Sequence, residues 1–256
     1  MSVRIPRVVW NQGGADRNLT RGQYTTLFDQ YWTAKKEQIA RITGQVAAPD
    51  LYMFQTGGRM NQTENYSVIL DQIDAIREHN GILVGPMWQA HTDNTDHMGM
   101  PMHLRMYETA AWAIIENEAG RAWNLLPPET VTRVGNTITI PISVRSDETL
   151  TTVPGKYAAY GGDPANLGMT AVGGGSITSA SVSGSSIIVG VSGVVTAVRH
   201  AFQSTGIDYR AFLDGDGEGY PAPRSLIRTT LTRTRAVGGV SIVCERWLPS
   251  FEVTIT

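Results

Sequence analysis

One cysteine in 256 residues, Cys244, excludes an intrachain disulfide and with it a disulfide-built scaffold. No stretch of eighteen apolar residues occurs, so the sequence offers no helix suited to cross a membrane. Behind the arginines of residues 1–7 there is no apolar segment of the kind a secretory signal needs. The sequence therefore predicts a product that stays in the cytoplasm, or that leaves by assembly or lysis. Charge of one sign is lacking too: 21 lysines and arginines stand against 23 aspartates and glutamates, a formal net charge of −2. That balance gives no electrostatic footprint for nucleic acid or anionic lipid. No repeat of fixed period is present either. What remains, 41% hydrophobic and 17% charged residues, is the composition of a globular protein with room for one large or two ordinary domains.

The first half of the chain reads as strand, loop and helix three times over. Val8-Val9-Trp10 is a short apolar strand that runs into a polar, glycine-hinged loop, Asn11-Gln12-Gly13-Gly14-Ala15-Asp16. Thr20-Arg21-Gly22-Gln23 has the form of a capping box, and Tyr24, Leu27, Phe28, Tyr31, Ile39 and Ile42 recur at helical spacing up to Gly44. Leu51-Tyr52-Met53-Phe54-Gln55-Thr56 is near-continuously apolar, as expected of a strand buried on both faces of a parallel sheet. A second helix over residues 63–80 carries Tyr66, Ile69, Leu70, Ile73 and Ile76 on one stripe, with Ser67 inside it. The third strand, residues 82–88, ends on Trp88. A third helix follows from about Leu104, with Tyr107, Ala111, Ile114 and Ile115 in register. Three such units call for right-handed crossovers and a flavodoxin-like, three-layer parallel sheet. Three strands are few for that architecture, and the apolar edge they leave predicts completion by another protein chain in a homo- or hetero-oligomer.

After Asn124 the texture changes. Strict alternation appears, clearest in Thr137-Ile138-Thr139-Ile140-Pro141-Ile142-Ser143-Val144, and short strands are separated by Gly/Ser/Asp turns. This predicts an antiparallel β-sandwich over residues 125–256 behind an α/β domain over residues 1–124. Cys244 falls in one of these strands, which predicts a packed core thiol.

The polar run that could carry chemistry is His91-Thr92-Asp93-Asn94-Thr95-Asp96-His97, between the third strand and the third helix. Histidine and carboxylate there allow a general base with its orienter, a zinc- or manganese-type site, or a merely hydrogen-bonded loop. Nothing at metal-enzyme spacing supports the second, so no metal and no cofactor is expected. Asp214-Gly215-Asp216-Gly217-Glu218 alternates acid and glycine as some calcium loops do, without the remaining EF-hand spacing. Trp10, Trp88 and Trp112 flank the presumed cleft, where a tryptophan stacks on sugar or packs in the core.

Trp10-Asn11-Gln12-Gly13-Gly14-Ala15-Asp16 resembles the Trp-x-Gln-Gly-Glu-x-Asp/Asn block of the SGNH hydrolases, in particular the sialate O-acetylesterase-like carbohydrate esterases. Gly14 stands where that family favours Glu, and Asp16 where many members carry Asn. The resemblance extends to the loop before the third helix, where the family places its catalytic Asp-x-x-His. It also extends to Val198-Arg199-His200-Ala201 and Gly219-Tyr220-Pro221-Ala222-Pro223, which are similar to two segments of the family's β-domain. It implies that Gln12, Gly13 and Asp16 form an oxyanion or ligand-binding loop, although an ionised Asp16 only accepts hydrogen bonds. It implies His97 as base with Asp93 or Asp96 as orienter; three residues before His97, however, stands Asn94. Trp10, Trp88 and His91 become the candidates for carbohydrate contact.

The family's serine lies upstream of the Trp-x-Gln-Gly block, where this sequence has only Ser2. Without it acyl transfer loses its covalent step. The resemblance therefore implies a non-catalytic carbohydrate-binding subunit of a virion, such as a head spike or tail fibre of a phage-like particle recognising a host surface polysaccharide. The alternative is a carbohydrate O-acetylesterase whose serine a partner chain supplies.

Overall fold

The computed structural model describes residues 3–13, 16, 18–56, 67–89, 100–158, 162–202 and 224–256. Three parallel strands, β1 (Arg7–Trp10), β2 (Asp50–Gln55) and β3 (Ile82–Pro86), form one sheet in the order β1-β2-β3. The helices between them, α1 (Gln23–Thr43) and α2 (Ser67–Glu78), lie on one face, where Tyr24, Phe28 and Trp32 of α1 and Val68, Ala75 and Ile76 of α2 close over Leu51, Met53 and Leu83. The third helix, α3 (Met100–Glu118), lies on the other face, its Met106, Ala110, Trp112 and Ala113 packing with Tyr52, Phe54 and Val84. Both crossovers thus keep to one side before the chain changes face, as parallel right-handed connections require.

The start of α1 is built differently from the capping box its sequence suggests. Gln23 does reach back, its Oε1 accepting from the Thr20 amide at 2.7 Å, but no side chain of the local box caps the helix; its N-cap is Gly22, at φ +85°. The orphan amides are taken by Asp71 of α2, whose buried carboxylate accepts from Gly22 at 2.9 and 3.0 Å and from Tyr24 at 3.1 Å and pairs with Arg21. A cap supplied 47 residues along the chain leaves no local signature.

Two stripes read from periodicity also differ. In α1, Trp32 joins the core while Leu27, Tyr31 and Ile42 are exposed. In α3 the buried arc is that of Met106, Ala110 and Ala113, whereas Tyr107, Ala111 and Ile115 face outward. The cause is a second neighbour: α3 is covered by Ile242 and Cys244 as well as by the parallel sheet, which turns its apolar arc toward both. Ser67 is the first described residue of α2; residues 63–66 of the expected helix lie outside the described residues.

The second half is almost wholly antiparallel. One four-stranded sheet runs β5-β6-β10-β9, using β5 (Arg133–Val134), β6 (Thr137–Pro141), β9 (Ser176–Ser183) and β10 (Ser186–Ser192). A second runs β4-β14-β11-β8, using β4 (Thr130–Val131), β8 (Met169–Gly173), β11 (Val195–His200) and β14 (Phe251–Ile255). Their inward residues, Ile138, Ile140, Ile187 and Val189 from the first and Val198, Phe251 and Val253 from the second, share one core. The alternation in residues 137–141 is thus the alternation of a half-buried sheet. The last sheet, β13-β12-β7, is made of β7 (Leu150–Thr152), β12 (Ile227–Val237) and β13 (Val240–Trp247) and lies against α3. It carries Cys244, fully buried, with burial raising its thiol pKa.

The two halves are tied by buried polar groups as well as by the α3 cluster. Arg246 of β13 pairs with the buried Glu148, donates to the Trp123 carbonyl, and stacks its guanidinium 4.4 Å above the Trp123 ring. Gln55, the last residue of β2, holds residue 250 by both ends: its Oε1 accepts from the Ser250 amide at 2.7 Å and its Nε2 donates to the Ser250 carbonyl at 2.8 Å.

Candidate functional site at the carboxyl edge of the parallel sheet

Ligands of open parallel sheets bind beyond the carboxyl ends of the strands. Here that edge is formed by the turn after Trp10, by Thr56 and by Trp88. The first turn is held from behind. Gln72 of α2, fully buried, donates from Nε2 to the Gln12 carbonyl at 2.8 Å and accepts at Oε1 from the Thr56 amide at 2.7 Å, so one amide locks the ends of β1 and β2 together. Tyr24 adds a second tie: its hydroxyl receives the Trp10 indole N–H at 2.9 Å and reaches the Gln12 carbonyl at 3.3 Å. Burial raises the Tyr24 pKa, which keeps the phenol a neutral donor.

Gly13 is required at the centre of this turn. Its φ is +131°, and a Cβ there would stand 2.8 Å from Gln72 Nε2 and 3.3 Å from Val68 Cγ1. Beyond it Gln12 projects into solvent, and its side-chain amide donates to the Asp16 carboxylate. The Asp16 amide in turn donates to the Gly13 carbonyl at 3.2 Å. A primary amide has two N–H groups, and among the described residues the second has no acceptor. Gln12, Gly13 and Asp16, grouped by sequence, are therefore grouped in space, with Asp16 orienting Gln12.

The tryptophans face protein. Trp10 lies 4.5 Å from Tyr31 and 5.5 Å from Phe28 between ring centroids. Trp88 is buried edge-on against Trp247 at 6.0 Å, and its indole N–H finds no acceptor among the described residues. Trp112 packs across Trp123 at 5.1 Å inside the α3 core. Lys156 sits over the Trp247 ring, Nζ 4.1 Å from its centroid, with its pKa lowered by burial. His91, Asp93, Asp96 and His97 lie outside the described residues, as do Asp214, Asp216 and Glu218.

Three arrangements had no sequence signal. His200 and Ser225, both fully buried, are joined at 2.6 Å through Nε2, while Nδ1 meets the Pro249 carbonyl at 2.8 Å. Because a carbonyl only accepts, Nδ1 carries the proton and Ser225 donates to Nε2. That is the tautomer of a Ser–His dyad, but Ser225 Oγ also accepts from the Ile227 amide at 2.9 Å. With both side chains sealed from solvent the pair fastens β11 to β12. Asp29, Glu78 and His79 bring three ligand-type atoms within 4.8 Å of one another, with His79 Nε2 and Asp29 Oδ1 at 2.6 Å, so they are the described residues able to hold a metal. The third is the Gln72 brace, 16 residues from the Thr56 amide it receives.

No protein-family model matches the chain, and no curated protein matches it in sequence. Its fold is similar to that of a carbohydrate acetylesterase from Xanthomonas citri, with a TM-score of 0.55 and 16% identity. The likeness covers 97% of this chain and 50% of that one, so the chain spans about half the length of the enzyme it matches. What the likeness shows is the fold alone: a mixed α/β chain of several sheets.

Proposed function

We propose that this chain is a carbohydrate-binding member of the SGNH, sialate O-acetylesterase-like group, an α/β unit over residues 1–124 followed by a β-sandwich over residues 125–256. The observation that carries the reading is the braced turn after β1. Its Gln12 side-chain amide is aimed by Asp16, while the Gln12 main-chain carbonyl is held by Gln72 and Tyr24, at the edge where an ester carbonyl or a sugar hydroxyl would be received. The fold likeness to a carbohydrate acetylesterase supports carbohydrate as the ligand class. In this reading the Gln12 N–H donates to the acyl carbonyl of an O-acetylated sugar, and Asp16, unable to donate, acts through Gln12. The setting we propose, a phage-like particle whose head spike or tail fibre meets a host polysaccharide, rests on the sequence alone.

These residues by themselves are proposed to bind without turning over, since the Ser–His pair that the described residues do show, Ser225 with His200, is sealed from solvent. The test is binding of an O-acetylated polysaccharide by calorimetry. Gln12→Ala should weaken it about tenfold, the loss of one good hydrogen bond. Equal affinity in the variant would remove the turn from the site.

The likeness to an acetylesterase also favours a second reading, a split enzyme with His97 as base and Asp93 or Asp96 as orienter. There His97→Ala abolishes turnover in the complete assembly and leaves assembly intact. Unchanged turnover would discard it.

A further inference from the structure

Asp29 of α1 meets two residues at the end of α2, Glu78 and His79. A carboxylate oxygen from each acid and an imidazole nitrogen lie within 4.8 Å of one another. The backbone that carries them is fixed. Asp29 lies inside α1, and α2 closes in a Schellman motif: Asn80 has φ +50°, its amide donates to the Arg77 carbonyl at 3.4 Å, and the Gly81 amide donates to the Ile76 carbonyl at 2.8 Å. The His79 amide still donates to the Ala75 carbonyl at 3.0 Å, so the imidazole leaves the chain from the last helical turn. Its ring lies 5.8 Å from Phe28 and 6.5 Å from Trp32, and only 17% of the side chain is exposed. Packed there, it presents Nε2 to Asp29 Oδ1 at 2.6 Å.

The negative charge at this place is uncompensated. Among the described residues no lysine or arginine pairs with Asp29 or Glu78, and His79 can offset at most one of the two carboxylates. Arg77, next in the chain, is spent elsewhere, on Glu129 at 3.5 Å, Asp74 at 4.0 Å and the Pro127 carbonyl at 2.9 Å. The C-terminal end of α2 adds partial negative charge, which favours a cation in the same position. Glu78 also lines an open cleft of about 440 Å³ between α2 and β14, so an ion here keeps access to water.

The donor set selects the class of ion. One imidazole nitrogen and two carboxylate oxygens suit zinc and its neighbours, with water in a fourth position, whereas calcium and magnesium call for more oxygen donors. Ligands about 2.0–2.2 Å from a tetrahedral zinc stand roughly 3.3 Å apart. Rotation of the two exposed carboxylates closes the wider spacing and opens the His79–Asp29 contact; the Asp29 side chain is 43% exposed and Glu78 lies on the surface. The single proton of the neutral imidazole then resides on Nδ1, and Nε2 gives its lone pair to the ion.

We propose that Asp29, Glu78 and His79 bind one divalent ion of the zinc class, which clasps α1 to the end of α2. α2 also carries Asp71, which caps α1, and Gln72, which braces the turn after β1, so the ion steadies the helix pair behind that turn. The inference goes beyond the carbohydrate reading and does not depend on it.

The test is calorimetric titration of the full, untagged chain, first stripped with chelator, with zinc chloride and no carbohydrate present. The proposal expects one zinc per chain, and no saturable binding of calcium or magnesium. His79→Gln and Glu78→Gln should each weaken zinc at least about tenfold. Glu78 is exposed, so its variant reads the lost ligand apart from any change in folding. Zinc at a hundredfold its Kd should raise the melting temperature of the chain by roughly 5 °C and leave that of His79→Gln where it was. Unchanged zinc affinity in both variants, or no saturable zinc binding at all, overturns the proposal. So does binding that survives His79→Gln and disappears in His97→Ala, which would assign the ion to the run from His91 to His97. Zinc binding by a chain that fails to bind O-acetylated polysaccharide would uphold this site and reject the functional reading.

Discussion

His200 is neutral because it is sealed. Burial pushes its imidazole down to about 4, against the smaller upward pull of the Pro249 carbonyl, from an ordinary value of 6.5. The unfolded chain therefore binds a proton that the folded chain refuses between those values, and stability rises with pH across that window. It is complete above about pH 6.5 and falls as the pH drops toward about 4, by about 3 kcal/mol in all. His200→Gln, which keeps a donor for Pro249 and an acceptor for Ser225, should flatten the melting temperature between pH 7 and 4.5. An unchanged slope would place the acid sensitivity elsewhere. At the same scale Gly13→Ala should cost about 2 kcal/mol, since its φ is +131° and the new Cβ meets Gln72. The glycine was legible as a hinge in the sequence. The reason only glycine fits was not, because Gln72 arrives from 59 residues downstream and its amide looks like any polar position of a helix.

Among elements, α1 shows what periodicity can and cannot supply. Tyr24, Phe28 and Ile39 read correctly as core from their spacing, and Gly44 as the stop, at φ +69° with its amide on the Ala40 carbonyl at 2.8 Å. The cap did not read correctly, because it comes from Asp71. Asp71→Ala should therefore destabilise the chain by about 2–3 kcal/mol in urea unfolding, the loss of charge-assisted bonds to two helix amides and Arg21, while Thr20→Ala should cost little. The reverse ranking would restore the local capping box. In α3 the sequence places apolar residues on two arcs, and periodicity alone cannot tell which arc is covered. β13 decides it by packing on one of them.

At the scale of the whole molecule, the change from helical to strand periodicity near residue 124 was visible because the two sheet types bury their strands differently. Leu51 to Phe54 are buried without interruption, whereas Ile138 and Ile140 alternate with exposed neighbours. What sequence could not supply is the packing of the last sheet on α3, a contact between residues 106–113 and 242–244 with no local trace. The same holds for the Gln55–Ser250 clasp, whose partners are 195 residues apart. The turn after β1 was legible as a unit through its wording, and its architecture is what the functional reading stands on. The most direct test of that reading pairs two assays on the purified chain: calorimetric binding of an O-acetylated polysaccharide before and after chemical deacetylation, and release of acetate from the same material. We predict binding that weakens on deacetylation and no acetate released. Acetate released by the chain alone, or no binding to either form, would contradict it.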